Sequence, residues 1–443
     1  MRMGIVPLVL PLAALFSAGA SAAGFFEDSK ASLSLRNYYF NNDVRSADTP
    51  SQNQWGQGAT FNYQSGFTQG VIGFGLDVTG LLGLKLDDGG YSGKPQESRS
   101  PAVTGLLPLE SNGQSQDSFS SLGPTAKARF GQTEARLGIL IPMLPVVWRS
   151  DGRLVPQTFQ GWQIQSKDLT NTTITVGRLN TARGRASSDR TELSIAGSNN
   201  PKTGQSSNQF YYGGLDYQVS KSLMMQYYYG ELQNFYRQHF LGLKHDMELP
   251  IGKLKTDLRF FDSSSDGLNG SYQGRQEGYV SSGFWEGGDT SKGEVDNRTW
   301  SAMFTWLYGG HSVGLGYEKL AGNSGYQFLN QGDGANTYLI TERQINPFNN
   351  PNERSWLGQY RYDFAALGVP GLKAGLTYVK GDEIKSAAGE QEEWERDFEL
   401  SYAFQSGPLK NLSVIWYNAT FKSDVRGDIN QDRLIFNYSI PLL

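Results

Sequence analysis

The sequence predicts an all-β protein, a transmembrane antiparallel β-barrel of about 18 strands. Apolar and polar residues alternate with a period of two through segments of about 8 to 15 residues, which is typical of half-buried strands. Short turns alternate with long polar segments along the chain, and aromatic residues cluster where strands meet these connections. All three features are typical of barrels that cross an outer membrane.

The alternation assigns each side chain of a strand to one of two faces. In residues 31–40, Leu33 and Leu35 lie on one face, whereas Arg36 lies on the opposite, polar face. Residues 70–80 repeat the scheme. In a barrel with this pattern, the apolar face contacts lipid and the polar face lines the lumen.

The connections fix the number of strands. A regular exchange of short and long connections, beginning and ending on the short-turn side, gives about 18 strands, and bacterial barrels have an even number. Residues 190–196 also alternate, but a spanning strand there would put two long connections on opposite sides, so we assign them to a loop. The short turns lie near Gly66, Gly131, Thr170, Ser220, Ile251, Gly309, Gly368 and Gly407. The longer segments are residues 41–54, 85–121, 142–160, 180–207, 264–296, 321–353, 382–393 and 423–428, with a tight connection near Gln233.

The first 23 residues form a predicted secretory signal peptide. Arg2 precedes an apolar run from Ile5 to Phe16, and small residues follow up to Ala23. The run is shorter than the roughly 20 residues that a membrane-spanning helix needs. We therefore expect export from a Gram-negative cell to its outer membrane, with residues 24–443 forming one barrel domain.

The composition argues against enzymes and metal proteins. The chain has no cysteine and three histidines, His239, His245 and His311, so neither thiolate chemistry nor a nucleophile with an orienting base is evident. A barrel phospholipase or protease would need such a set. We expect no catalytic residue, cofactor, metal or nucleic-acid partner.

Basic residues on the polar faces are the candidate binding groups. A guanidinium binds a carboxylate through two parallel hydrogen bonds and keeps its charge at any relevant pH. In the simpler alternative, each arginine pairs with a neighbouring acid and only keeps the lumen hydrated. The seven candidates are Arg36, Lys127, Arg129, Arg136, Arg259, Arg361 and Arg433.

Several stretches, spread in order over the whole mature chain, resemble the OprD family of substrate-specific outer-membrane channels. The resemblance implies an 18-stranded barrel that is a monomer or a loose homotrimer, with inward-folded loops and a ladder of basic residues for carboxylate solutes. Ile415 and Tyr417 stand in the penultimate strand, where relatives selective for basic amino acids tend to carry arginine. The chain is thus more similar to the OccK than to the OccD subgroup of the Occ carboxylate channels. The matching stretches are residues 24–28, 34–40, 65–70, 83–87, 153–158, 236–238 and 368–372.

The segment 142–160 is the predicted constriction, because the corresponding loop of the family folds into the barrel. Its Arg149 and Arg153 are expected to face Asp151, Asp77 or Asp363 across the narrow point and create a transverse field. The alternative is a surface loop whose arginines contact lipopolysaccharide phosphates.

These expectations predict passive, selective uptake of small aromatic or aliphatic carboxylates by a channel surrounded by outer-membrane lipid and lipopolysaccharide. Two alternatives stay open, a general diffusion porin and a channel for basic amino acids or small peptides. An adhesin or structural barrel would need no charged track in its lumen.

Overall fold

The computed structural model describes residues 24–45, 51–89, 105–110, 114–195, 205–330 and 336–443. The predicted signal peptide, residues 1–23, lies outside this part of the chain. Eighteen long strands form one antiparallel wall, as the sequence predicts. They are β1 Lys30–Val44, β2 Gln52–Gln64, β3 Gly73–Asp87, β4 Ser118–Phe130, β5 Thr133–Leu140, β6 Thr158–Ser166, β7 Thr172–Arg183, β8 Phe210–Gln218, β9 Leu223–Leu232, β10 Tyr236–Glu248, β11 Lys253–Ser265, β12 Asp296–Tyr308, β13 His311–Ala321, β14 Arg354–Asp363, β15 Leu372–Ser386, β16 Gly389–Ala403, β17 Leu412–Ser423 and β18 Ile429–Pro441.

The wall closes on itself. Each strand pairs with the next, and β1 also pairs with β18, from Ser32 opposite Pro441 to Val44 opposite Ile429. Closure removes the free sheet edges, which no membrane-embedded sheet can leave unpaired. The described residues include no helix that is long and apolar enough to cross a bilayer.

The connections alternate in length as predicted. The turns near all eight predicted positions lie at one end of the barrel, here called the short-turn end, and the longer connections lie at the other, the long-loop end. The described residues 190–195 do not span the wall: Arg190–Glu192 extends the sheet beside β7, and Ser194–Ile195 pairs with Leu329–Asn330. The loop assignment of this segment is confirmed.

One predicted loop is wrong. Residues 382–393 belong mainly to strands, because β15 and β16 continue to a tight hairpin between Ser386 and Gly389. A β-bulge between Gly381 and Ile384 shifts the register there. A bulge inserts an extra residue into one strand, so the alternation of polar and apolar side chains breaks and the strand looks like a loop.

The outer face of the wall is apolar at mid-height. Leu122, Leu137, Leu241 and Leu315 are more than half exposed, although they lie in the middle of regular strands. Large apolar side chains exposed in a continuous band are stable only where the surrounding solvent is itself apolar. The outer face is therefore the lipid-facing one.

Loops fill one half of the lumen. The largest hydrophobic cluster joins inward-facing residues of β5 to β13, such as Phe159, Phe210 and Phe261, to Val147 and Tyr326 of the loops. These loop residues cover the wall from β5 to β13. The passage lies in the opposite half, where its inner part is lined mainly by β14 to β18 and β1 and its outer part mainly by loop residues.

A charge in the middle of the lipid face should destabilise the barrel more than one at its end. Leu241→Arg places a guanidinium at mid-height of β10, and Met247→Arg places one on the same face near the short-turn end. We expect a loss of about 2–4 kcal/mol for Leu241→Arg and about 0–1 kcal/mol for Met247→Arg, because the cost depends on depth. Urea unfolding in lipid vesicles measures both free energies. Equal losses would contradict this membrane placement.

Candidate functional site

Two cavities lie in series along the passage. The outer one, toward the long-loop end, has a volume of about 990 Å³, and the inner one has about 360 Å³. Four residues line both cavities, namely Gly152, Arg343, Gln344 and Arg433. Among the described residues, these four lie where the two cavities meet, and this junction is here called the narrow point of the lumen. Two of the four carry guanidinium groups.

The first side of the narrow point is loop A, residues 141–157, which folds into the lumen as predicted. The Arg36 guanidinium of β1 donates to the carbonyl oxygens of Asp151 and Arg153 at 3.0 and 2.6 Å. It also pairs with the Asp151 carboxylate at 3.1 Å. Arg36 thus holds Gly152, which lies between these two residues, at the narrow point.

Glycines in the wall make room for loop A. A Cβ atom on Gly58 of β2 would lie 2.3 Å from the carbonyl oxygen of Leu154, and one on Gly56 would lie 2.6 Å from the Leu154 side chain. Neither distance is sterically possible for non-bonded atoms. Loop A therefore lies directly against the backbone of β2 at these two positions, where the wall has no side chains.

The second side of the narrow point is loop B, whose described part comprises residues 336–353. The Arg343 guanidinium donates to the carbonyl oxygens of Ile340 and Glu342 at 2.6 and 2.9 Å. Arg433 of β18 donates to the carbonyl oxygen of Gln344 and to Gln431. All these hydrogen-bond partners are neutral. They orient the two guanidinium groups without cancelling the positive charge of either.

Charged residues of both signs follow the wall from the narrow point into the inner cavity. Register places Arg433, Tyr417, Glu399, Gly375 and Arg361 side by side on strands β18 to β14. The Arg361 guanidinium lies 3.8 Å from the Glu399 carboxylate and is more than half exposed. A solute in the inner cavity therefore meets cations on both sides of an acidic residue.

Three of the seven predicted ladder residues line the inner cavity, namely Arg36, Arg361 and Arg433. Lys127 and Arg129 lie instead beside the turn between β2 and β3. The Lys127 ammonium pairs with Asp77 at 2.7 Å, and the Arg129 guanidinium lies 4.2 Å from the centre of the Phe67 ring.

The other two predicted ladder residues have local partners. Arg136 pairs with Glu134 on its own strand. Arg259 binds the Asp257 carboxylate at 2.6 and 3.0 Å and donates to the carbonyl oxygen of Tyr338 at 2.7 Å. Neither residue lines the two cavities, and Arg259 supports loop B instead.

The predicted constriction residues divide in the same way. Asp151 lines the inner cavity and also lies 3.6 Å from the Arg149 guanidinium. Arg153 lines the outer cavity, with its guanidinium 4.6 Å from the centre of the Phe40 ring.

Asp77 and Asp363 need a correction, because neither carboxylate lies at the narrow point. Asp77 is buried against Lys127 near the short-turn end. Asp363 begins the turn after β14, accepts a hydrogen bond from the N–H of Ala365 and pairs with Lys373 at 3.3 Å. The alternation of polar and apolar residues, here called parity, predicts which face of the wall a residue occupies. It does not predict the height of that residue in the barrel.

Sequence reasoning missed Arg343 and Gln344 of loop B and the acidic side of the lumen. The acidic residues carried a usable signal: Glu393, Glu395, Asp397 and Glu399 alternate with period two in β16. The loop predicted over residues 382–393 includes the first of them. Arg343 lies in an irregular segment without periodicity, so no pattern in the sequence placed it in the lumen.

Glu342 adds a titratable group beside the narrow point and lines the outer cavity. Burial raises the pKa of Glu342 to about 7, against the lowering effect of the hydrogen bonds from the Thr337 hydroxyl and N–H. Its charge therefore changes close to neutral pH, next to Arg343.

Comparisons with known proteins agree with this architecture. The family model described as outer membrane porin, OprD family, matches residues 23–442. The chain is 30% identical to the porin-like protein GalP of Pseudomonas putida over 99% of both chains. It is 30% identical to porin D of Pseudomonas aeruginosa over 97% of this chain and 95% of that one.

Solved structures give the same result. The crystal structure of Pseudomonas aeruginosa OccK8 (OprE) matches with a TM-score of 0.87 and 52% identity, covering 95% of this chain and all of that one. The crystal structure of Pseudomonas aeruginosa OpdK with vanillate matches with a TM-score of 0.82 and 33% identity, covering 94% and 100%.

A methyl group on Gly58 should displace loop A. Gly58→Ala has no space beside Leu154, whereas a Cβ atom on Gly80 of β3 would meet its nearest neighbour at an ordinary 3.4 Å. We expect altered single-channel conductance and more open-channel noise for Gly58→Ala, and native behaviour for Gly80→Ala. Planar-bilayer recordings measure both. A Gly58→Ala channel identical to the native one would contradict the docking of loop A.

The raised pKa of Glu342 should make ion selectivity depend on pH. Below neutral pH the carboxyl group is protonated, so the neighbouring arginine acts alone and the channel should favour anions more strongly. Reversal potentials in a salt gradient at about pH 5 and about pH 9 bracket the titration. Glu342→Gln should reduce the difference between the two values, and an undiminished difference would assign the titration to another group.

Proposed function

Because this chain belongs to the OprD family of outer-membrane porins, we propose that it selects small solutes bearing a carboxylate group. The protein is a channel of the Gram-negative outer membrane, and its relatives are porins rather than enzymes. The long-loop end then faces the cell exterior, and the short-turn end faces the periplasm. The selected solutes would move passively from the outer to the inner cavity.

The observation that carries the proposal is the presence of Arg343 and Arg433 at the narrow point. Both line the two cavities, and their hydrogen bonds within the described ranges go to neutral groups. A carboxylate that leaves bulk water at this point needs replacement partners for its lost hydration. Guanidinium groups supply them through charge-assisted hydrogen bonds.

Further cations lie along the same route. Arg36 and Arg361 line the inner cavity below the narrow point, where they lie 3.1 Å from Asp151 and 3.8 Å from Glu399 respectively. Unlike Arg259, both guanidinium groups line the cavity, so a carboxylate leaving Arg433 meets another guanidinium before it reaches the short-turn end. Transport requires binding that is strong enough for entry and divided among enough sites for release. A series of arginines meets both requirements.

The inner cavity also offers apolar contacts. Ile415 and Tyr417 line it beside Arg433. An aromatic or branched aliphatic acid could place its apolar part against these side chains while its carboxylate contacts the arginines. The related OpdK was crystallised with vanillate, which is an aromatic carboxylate of this type.

One observation favours a second candidate, a channel for basic amino acids. Asp397 and Glu399 line the inner cavity and would attract an ammonium group. Both classes of solute carry a carboxylate, so the arginines would serve either. A general diffusion porin has less support, because a narrow point that is defined by two guanidinium groups is not indifferent to charge.

Neutralising either arginine should weaken carboxylate binding. We expect Arg343→Gln and Arg433→Gln each to raise the benzoate concentration that half-blocks the ion current by about 10-fold, since a hydrogen bond to a charged group contributes about 1.5–3 kcal/mol. Current fluctuations in planar bilayers measure this concentration. Arg237→Gln is the matched control, because Arg237 is exposed and outside both cavities.

Liposome uptake of benzoate, arginine and a neutral sugar of similar size separates the alternatives. Faster uptake of benzoate supports the carboxylate channel, and faster uptake of arginine supports the second candidate. Equal uptake of all three, with unchanged block in the two arginine variants, would overturn the proposal.

A further inference from the structure

Two acidic residues of the wall hold the segment of loop B that carries Arg343. We infer that Glu395 of β16 and Glu318 of β13 are positioning residues, which fix Arg343 and Gln344 at the narrow point by binding the chain on either side of them. This role differs from solute binding, because neither carboxylate lines either cavity.

Glu395 binds the chain directly after Gln344. One of its carboxylate oxygens accepts a hydrogen bond from the N–H of Ile345, and the other accepts one from the N–H of Asn346, both at 2.8 Å. The Glu395 side chain is fully buried. A buried carboxylate that uses both oxygens for two successive backbone N–H groups fixes the local backbone direction as well as its position.

Glu318 binds the chain before Glu342 from strand β13. Its carboxylate accepts hydrogen bonds from the hydroxyl of Thr341 at 2.5 Å and from the N–H of Ile340 at 3.3 Å. Glu318 is also fully buried. The two carboxylates therefore leave only residues 342–344 between their contacts, and two of these residues define the narrow point.

A second layer of contacts continues beyond Glu395. Glu393 accepts hydrogen bonds from the side-chain amides of Asn346 and Asn350, and Glu353 accepts one from the N–H of Asn350 at 2.9 Å. Residues 341–350 form no strand or helix, so they cannot satisfy their own polar groups by regular pairing. Wall carboxylates replace that pairing, and an irregular segment is thereby held in one conformation.

Glu395→Gln tests the inference, because glutamine keeps the size of the side chain but has one oxygen. Its NH₂ group would face a backbone N–H, so one of the two hydrogen bonds is lost. We expect the loop segment to loosen and the pore to widen, with a conductance in potassium chloride that rises about twofold because conduction follows pore width.

The direction of the change in ion selectivity separates positioning from a charge effect. If Glu395 acted only as a negative charge near the pore, its neutralisation would make the channel more selective for anions. If it positions Arg343, the displaced guanidinium makes the channel less selective for anions. Glu395 also contacts Asp397, which lines the inner cavity, so the decisive reversal potential is that of Thr341→Val, a substitution that changes no charge. Loss of stability alone would not change the reversal potential in channels that have folded.

Thr341→Val is the second variant and changes only loop B. It removes the hydroxyl that contacts Glu318 and, at 2.8 Å, the carbonyl oxygen of Pro347 in the same loop, and it leaves the barrel wall intact. It therefore tests the inference even if Glu395→Gln does not fold. Glu392→Gln is the matched control, because Glu392 lies on the same strand, outside both cavities, and pairs with the half-buried Lys380 at 2.9 Å.

The expected result is lower anion selectivity and higher conductance for Glu395→Gln and Thr341→Val, with native values for Glu392→Gln. Native values for Thr341→Val, or higher anion selectivity for Glu395→Gln, would overturn the inference. The inference rests on the proposed function in one respect, namely that the narrow point is the part of the passage that selects solutes. Since these measurements use chloride salts, a failure of benzoate to block the native channel would overturn the proposed function and leave the positioning role standing.

Discussion

The pairing of the first strand with the last is the constraint on which the rest of the structure depends. Once β1 and β18 are joined, every strand has two neighbours, and the backbone polar groups within the bilayer are satisfied inside the wall. A closed wall also has only two faces, and a shift of one residue exchanges them. The positions of Arg36, Arg361 and Arg433 in the lumen are therefore consequences of register.

Closure creates a lumen that is wider than the passage a selective channel needs. The loops solve this by occupying one side only, where their apolar residues pack on inward-facing aromatic rings of β5 to β13. The hydrophobic effect alone does not place a loop accurately, because it is not directional. On the other side, directional contacts take over, with Arg36 binding the backbone of loop A and Glu395 binding the backbone of loop B. The passage is narrow where these two sets of directional contacts meet.

The regular part of the fold could be predicted from the sequence, because alternation and turn spacing are local signals. The strand count and all eight short turns are confirmed. The prediction failed where local order breaks: Glu383, in the bulge of β15, has a positive φ of 59°, and the polar segment around it resembled a loop. Only part of the candidate site could be predicted from the sequence. Parity selected the wall arginines of the inner cavity, but nothing local indicates where an irregular segment such as that around Arg343 comes to lie.

The hydrogen-bond partners of each lumenal cation decide whether its charge is available to a solute in the passage. The alternation of residues in the sequence does not reveal those partners. Arg259 and Arg433 both lie on lumenal faces and both donate to a backbone carbonyl of loop B. Arg259 also binds Asp257 through two hydrogen bonds, so its charge is compensated and its guanidinium supports the loop. The other partner of Arg433 is the neutral Gln431, which orients the guanidinium without cancelling its charge. The Arg433 guanidinium is therefore held at the narrow point by neutral hydrogen-bond partners, whereas the Arg259 guanidinium is paired with a carboxylate on its own strand.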